Sequence, residues 1–137
     1  MEHFPFKIEI QPGSPAYEQV IHAVHRAIAC GAMRAGDPFP SVRALSKSVR
    51  INPNTAHKVV QALIQEGTLE VIPGRGTRAA AFQERSTEDR AKLLAEPLTN
   101  LVIEAKRLGS SKAELKRLLD DSWQDLTPNQ EPDPQDD

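Results

Sequence analysis

Apolar residues along the chain follow two spacings. Near the start, Phe6, Ile8 and Ile10 alternate with Lys7 and Glu9. A period of two predicts a strand or an extended arm. After the turn-forming stretch QPGSP the spacing changes. Tyr17, Val20, Ile21, Val24 and Ile28 recur every three or four residues. They predict a helix from about Ser14 to Cys30 with one face on a core. Ser14 is placed to cap it, Pro15 suits the first helical position, and Gly31 marks its end.

RAGDPFP, rich in Pro and Gly, reads as a loop. Ser41 then caps a second helix with Val42, Leu45 and Val49 on its inner side. Ile51 sits in a short turn. Asn52 caps a third helix, with Pro53 at its first position, where a missing N–H removes nothing the helix would use. Val59, Val60, Leu63 and Ile64 carry that helix to Gly67. TLEVI, PGRG and TRAAAF then read as a short hairpin with a glycine-rich tip.

Three helices and a hairpin with so short an interhelix turn, VRIN, form the layout of a winged helix-turn-helix. The tight turn lets the second helix lie over a DNA backbone while the third enters the major groove. Small polar groups at the head of the third helix can approach closely, and backbone N–H groups there favour phosphate. The expected class is α+β, mainly α: a winged helix-turn-helix domain over residues 1–82, then a short helical hairpin.

The hairpin comes from residues 83–126. STED (Ser86 to Asp89) resembles a capping box with Asp for the usual Glu. Leu94, Leu98, Leu101, Val102, Ala105 and Leu108 follow as an apolar stripe, which Pro97 should kink or break. Gly109 ends that helix. SKAE (Ser111 to Glu114) opens another by a true capping-box pattern, and Leu115, Leu118, Leu119, Ser122 or Trp123, and Leu126 continue its face. About 40 residues are too few to enclose a core of their own. The stripe therefore needs a partner surface: a second copy in a symmetric dimer, or the winged domain itself. Leu94, Leu98, Leu101, Val102, Leu108, Leu115, Leu118 and Leu119 are the expected dimerisation residues. A small-molecule effector, where one exists, would sit between these helices or at the dimer junction. The last stretch, TPNQEPDPQDD (residues 127–137), is polar, acidic and proline-rich, and is expected to be disordered.

Charge sharpens this division. The chain of 137 residues has a formal net charge of −2. Residues 1–82 nevertheless hold nine Lys and Arg against six Asp and Glu, and residues 83–137 hold eight against thirteen. Between Arg34 and Arg78 the count is seven basic to three acidic. A basic segment joined to an acidic one suggests nucleic-acid contact by the first. With 4% aromatic residues the core must be largely aliphatic. No apolar run approaches the ~18 residues of a membrane span. MEHFPFKIEI lacks the pattern of a secretory signal. A single cysteine, Cys30, fits a reducing compartment, so a cytoplasmic protein is expected.

Catalysis finds no support in the motifs. There is no Walker loop, nucleophile elbow or paired carboxylate, and the Gly-x-Gly at 74–76 lacks a following helix. His22 and His25 lie three residues apart, but Cys30 falls off their face and no acidic partner shares it, so no metal site and no cofactor are expected. The rival is a winged helix that binds another protein instead of DNA. The basic balance of residues 34–78 and the polar head of the third helix argue against it.

The run GDPFPSVRALSKSVRINPNTAHKVVQALIQEGTLEVIPGRGT resembles the GntR family of bacterial transcriptional regulators. INPNT and the short tail with LVIEAKRLG look like its YtrA subfamily. The likeness spans about residues 7–120 and is most specific from Gly36 to Thr77. It implies a sequence-specific regulator, more readily a repressor than an activator, acting as a homodimer on an inverted repeat in double-stranded DNA. It also implies a target in its own operon, often one encoding a membrane transporter. Residue by residue it implies DNA contact from Ser41 and Arg43 in the second helix. Asn52, Asn54, Thr55, His57 and Lys58 would contribute from the third, with Arg75 and Gly76 at the wing tip. Three departures from the family pattern stand out. Pro53 stands where larger relatives often place a base-reading arginine. Phe39 replaces a leucine. Arg78 and Ala79 replace large apolar wing residues.

Overall fold

The computed structural model describes residues 6–127. Its elements run α1 (Ala16–Ala29), β1 (Pro38–Phe39), α2 (Val42–Val49), α3 (Pro53–Gln65), β2 (Leu69–Ile72), β3 (Gly76–Ala79), α4 (Thr87–Arg107) and α5 (Lys112–Leu126). The chain divides into two compact units, the second being Phe82–Leu126. No helix among the described residues is long and apolar enough to cross a membrane.

The first unit is built on the helical faces read from the sequence. Val20, Val24 and Ala27 of α1 meet Leu45 and Val49 of α2 and Ala56, Val59, Val60 and Leu63 of α3 in one core. Tyr17, expected inside, is 36% exposed, and Ile21 and Ile28 are half-buried. The cap of α1 also differs: it is Pro15, without a side-chain bond. Ser14 instead gives its carbonyl to Gln19 Nε2 at 2.9 Å, and the same amide bonds Gln11 through both its oxygen and its nitrogen. The Gln19 amide pins the incoming loop to α1, and among the described residues no side chain caps the first-turn N–H groups of that helix.

Residues 6–10 form no strand but keep the alternation. Phe6 is buried, Ile8 and Ile10 pack against the core, and Lys7 and Glu9 face out. The period of two here reflects one-sided burial of an extended arm, not ladder pairing. Phe6 stacks on Phe39 with centroids 6.3 Å apart, an offset arrangement favoured by ring quadrupoles.

The wing hairpin gains a third strand. β3 lies between β1 and β2 and is antiparallel to both, with Phe39 opposite Thr77 and Leu69 opposite Ala79. Leu69 and Ala79 are both buried, so a small residue fills the wing-strand position. Arg78 faces out and pairs across the ladder with Glu70 at 2.5 Å, their Cα atoms in register.

The second unit holds α4 and α5. Ser86 caps α4 through the Asp89 N–H at 3.1 Å. Ser111 and Glu114 form a reciprocal box at the start of α5, at 3.1 and 3.3 Å. Pro97 does not break α4, which runs unbroken through it. One interior proline removes one intrahelical bond, and on an exposed stretch the freed carbonyl can turn to water. No residue of either helix is buried. Of the acidic tail expected from residue 127, all but Thr127 lies outside the described residues.

Candidate nucleic-acid interface

Helix α3 is amphipathic in the sense its sequence requires. Ala56, Val59, Val60 and Leu63 point inward, while Asn54, His57 and Lys58 are exposed and Thr55 is half-buried. The outward positions step by three and four, so they share one face. Gln61 continues that face one turn beyond His57 and was missed in reading the sequence. Its signal was the i+4 spacing itself.

The head of α3 is held before any ligand arrives. Asn52 Oδ1 accepts from the Asn54 N–H at 2.8 Å. The Ala56 N–H bonds the Asn52 carbonyl at 3.0 Å, and Pro53 has no N–H. That leaves Thr55 with the one first-turn N–H unclaimed among the described residues. The expected cradle of several backbone donors is therefore reduced to one. Capping uses only the oxygen of the Asn52 side chain, so its amide N–H groups still face solvent. Ser41 has the same dual character. Its Oγ accepts from Ala44 N at 3.1 Å, and its hydroxyl proton remains free to donate.

The turn between α2 and α3 is braced by hydrogen bonds on Ser46. The Ser46 carbonyl accepts from the N–H groups of Arg50 and Ile51, and the Ser46 hydroxyl donates to the Ile51 carbonyl at 2.7 Å. This fixes α3 relative to α2, which carries exposed Arg43 and, one turn later, exposed Lys47.

At the wing tip, the Arg75 N–H bonds the Ile72 carbonyl at 3.0 Å, closing the turn. Gly74 and Gly76 flank Arg75 at φ 76° and 89°, a region where side chains are strained. A Cβ at either would meet nothing within 4 Å, so these glycines serve the turn's backbone and not close packing inside the chain. Arg75 is exposed at the end of this loop.

Electrostatics favour an anion. The three acids between residues 34 and 78 are all engaged. Asp37 accepts from the Arg34 N–H at 2.8 Å, Glu70 pairs with Arg78, and Glu66 bonds His25 at 2.5 Å and Thr68 at 2.7 Å. Burial raises the Glu66 pKa, but the bonds from His25 and Thr68 outweigh it and hold the carboxyl below its ordinary value. His25 is thus tied to the end of α3. Arg43, Lys47, Lys58 and Arg75 make no ion pair among the described residues. Four exposed cations without internal partners, on α2, α3 and the wing, can each neutralise a phosphate.

The second unit presents a different chemistry. Leu94, Leu98, Leu101, Val102, Leu108, Leu118 and Leu119 are exposed, and Leu115 is half-buried. Leu93, Ile103 and Trp123, the last at 74%, widen the apolar surface beyond the single stripe read from spacing. An open cleft of about 740 Å³ lies at the start of α4 and not between α4 and α5. Phe82, Leu93 and Leu94 line it with Glu84, Arg85 and Arg90, and its volume suits a small molecule.

Comparison with known proteins agrees with this geometry. The family described as bacterial regulatory proteins, gntR family, matches residues 16–78. The HTH-type transcriptional repressor YtrA of Bacillus subtilis is 36% identical over 114 residues, covering 81% of this chain and 85% of that protein. A solved structure described as a transcriptional antiterminator from Listeria monocytogenes superposes with a TM-score of 0.74 at 25% identity, covering 88% of this chain and 91% of that one. A GntR family transcriptional regulator from the same species gives 0.64 at 23% identity, with 82% and 98% covered, and shares the fold. The matched segment holds α1, the helix-turn-helix and the wing through Arg78, with every cation of the exposed face inside it. The chain therefore belongs to the GntR family, resembles its YtrA branch, and is a DNA-binding regulator of transcription, not an enzyme.

Proposed function

We propose that this regulator is a cytoplasmic homodimeric repressor that occludes polymerase at a promoter, reading an inverted repeat upstream of its own operon, one that encodes a membrane transporter. The observation that carries the DNA-contact assignment is the outward polar face of α3 beside cations with no partner in their own chain. In this reading Asn54, Thr55 and His57 meet bases or phosphates from the head of α3, and Asn52 contributes its amide. Ser41, Arg43 and Lys58 hold the backbone. Arg75, with Gly76 beside it, enters the minor groove, whose negative potential favours arginine. Repression is supported by the relative named as a transcriptional repressor.

Residues 83–126 are the dimerisation region in this reading. Their support is the apolar surface of α4 and α5, left uncovered among the described residues. A symmetric pair sets two recognition helices about one helical turn apart or a multiple of it. Leu94, Leu98, Leu101, Val102, Leu108, Leu115, Leu118 and Leu119 form the seam. An effector would enter the cleft at the start of α4.

The test is a salt titration of duplex binding. Arg43, Lys47, Lys58 and Arg75 of both protomers, each displacing one counterion from the duplex, give a slope of log affinity against log salt of about −7. Arg43→Ala and Arg75→Ala should each weaken binding. A protein that fails to retain duplex DNA at low salt is a protein-interaction module instead, and unchanged affinity in both variants rejects the contact assignment.

A further inference from the structure

Arg50 is the one non-glycine residue at positive φ among the described residues, with φ 60° and ψ 51°. It occupies the left-handed C-cap of α2, where an L side chain crowds its own backbone and glycine does not. Relative to glycine this conformation is disfavoured roughly tenfold. The turn imposes it through the bonds gathered on Ser46. Within the fold the arginine side chain offers no visible return. It is exposed, and it makes no ion pair and no side-chain hydrogen bond among the described residues. A strained residue that persists without internal contacts points to a role outside the fold.

Its position says which role. Arg43 and Lys47 stand at i and i+4 on one exposed face of α2, while Leu45 and Val49 are buried on the other, and Arg50 follows them, exposed, at the C-cap. Arg50 is also two residues before the Asn52 cap, so it lies at the junction of α2 with the recognition helix. We propose that Arg50 is a phosphate anchor, extending the contact made by Arg43 into a basic rail along α2 that seats the turn on the DNA backbone. The proposal rests on the reading of the chain as a DNA binder and adds a contact that the helix-turn-helix motif alone does not require. A guanidinium suits the task, because its fork can hold one phosphate through two N–H groups.

The competing explanation is local. A cation near a helix C-terminus interacts favourably with the helix dipole. The two are separated by replacing Arg50 in the full-length chain. Arg50→Gly relieves the backbone, Arg50→Ala removes the charge and keeps the crowding, and Arg50→Lys keeps both charge and crowding. Each is measured on a mixed-sequence duplex of three helical turns, about 30 base pairs, at low salt. Melting temperature is followed in parallel.

Arg50→Gly should melt higher, by about 4 °C. It should also bind the duplex about tenfold more weakly, the loss of one charge-assisted hydrogen bond. Its salt slope should flatten by about 0.9 per protomer. Arg50→Ala should lose affinity similarly, and Arg50→Lys should recover most of it. Gain of stability with loss of binding is the pair of readouts that a purely structural arginine would not give. If the parent chain binds and Arg50→Gly matches it in affinity or in slope, this inference is overturned while the DNA reading stands. If the parent chain itself leaves the duplex free, both fall.

Discussion

Leu101→Glu probes the helical region where its chemistry is simplest. Leu101 lies mid-way along α4 and is 48% exposed, so about half its surface is available to a partner. Burying a whole leucine stabilises by roughly 1.5–3 kcal/mol, so the available half contributes about 1 kcal/mol. In a symmetric interface the residue counts twice, which doubles that to about 2 kcal/mol. The glutamates must also leave water without a designed cation, and even a softened interior charges several kcal/mol per unpaired carboxylate. The sum exceeds about 4 kcal/mol, or roughly a thousandfold in dimer dissociation constant. Sedimentation velocity over a dilution series reads this directly, and the variant should run as a monomer where the parent runs as a dimer. Its helical circular dichroism should be unchanged, because no residue of α4 is buried within its own chain and glutamate is a good helix former. A variant that still sediments as the parent dimer would refute the assignment of this face.

Three further outcomes follow from the same structure. Leu63, fully buried between α3 and its neighbours, should on Leu63→Ala lose about 2–5 kcal/mol of stability, seen as a large drop in denaturation midpoint. Asn52→Ala should lose about 1 kcal/mol with the cap, whereas Asn52→Asp keeps a capping oxygen and the stability yet weakens duplex binding through a charge that repels phosphate. Because the Glu66 carboxyl titrates lower in the folded chain than its ordinary 4.5, its share of stability is present above that pH and is lost as pH falls through the depressed folded value; melting followed from neutral to acid should show a steeper decline in the parent than in Glu66→Gln.

What the sequence reveals here is mostly what neighbouring residues decide among themselves. The caps at Ser41, Asn52, Ser86 and Ser111 are local bonds between residues two or three apart, and each was readable from residue type and order. The inward faces of α2 and α3 follow from spacing alone. Legibility fails where distance along the chain matters. β1 is two residues long and exists because β3 lies beside it, some forty positions away, so PF inside a loop carries no strand signal. The arm at residues 6–10 has a strand's alternation without a strand's partner. The expected serine cap fails because α1 starts one residue later, with Pro15 at the N-cap, and Gln19 reaching back to the Gln11 and Ser14 backbone is a contact that spacing does not announce. Pro97 does not break α4, since a helix of 21 residues survives one missing bond. For the candidate site, the polar head of α3 was evident from its residue types. The engagement of Asp37, Glu66 and Glu70, which leaves the basic residues unopposed, needed coordinates.

Selection of bound fragments from a random duplex library by the purified full-length protein tests the central claim most directly. The account predicts enrichment of an inverted repeat with half-site centres about 10 base pairs apart or a multiple of that, with sequence preference collapsing in a variant that truncates Asn54 and His57 to alanine. Recovery of no preferred sequence, or a preference untouched by losing those two side chains, would contradict it.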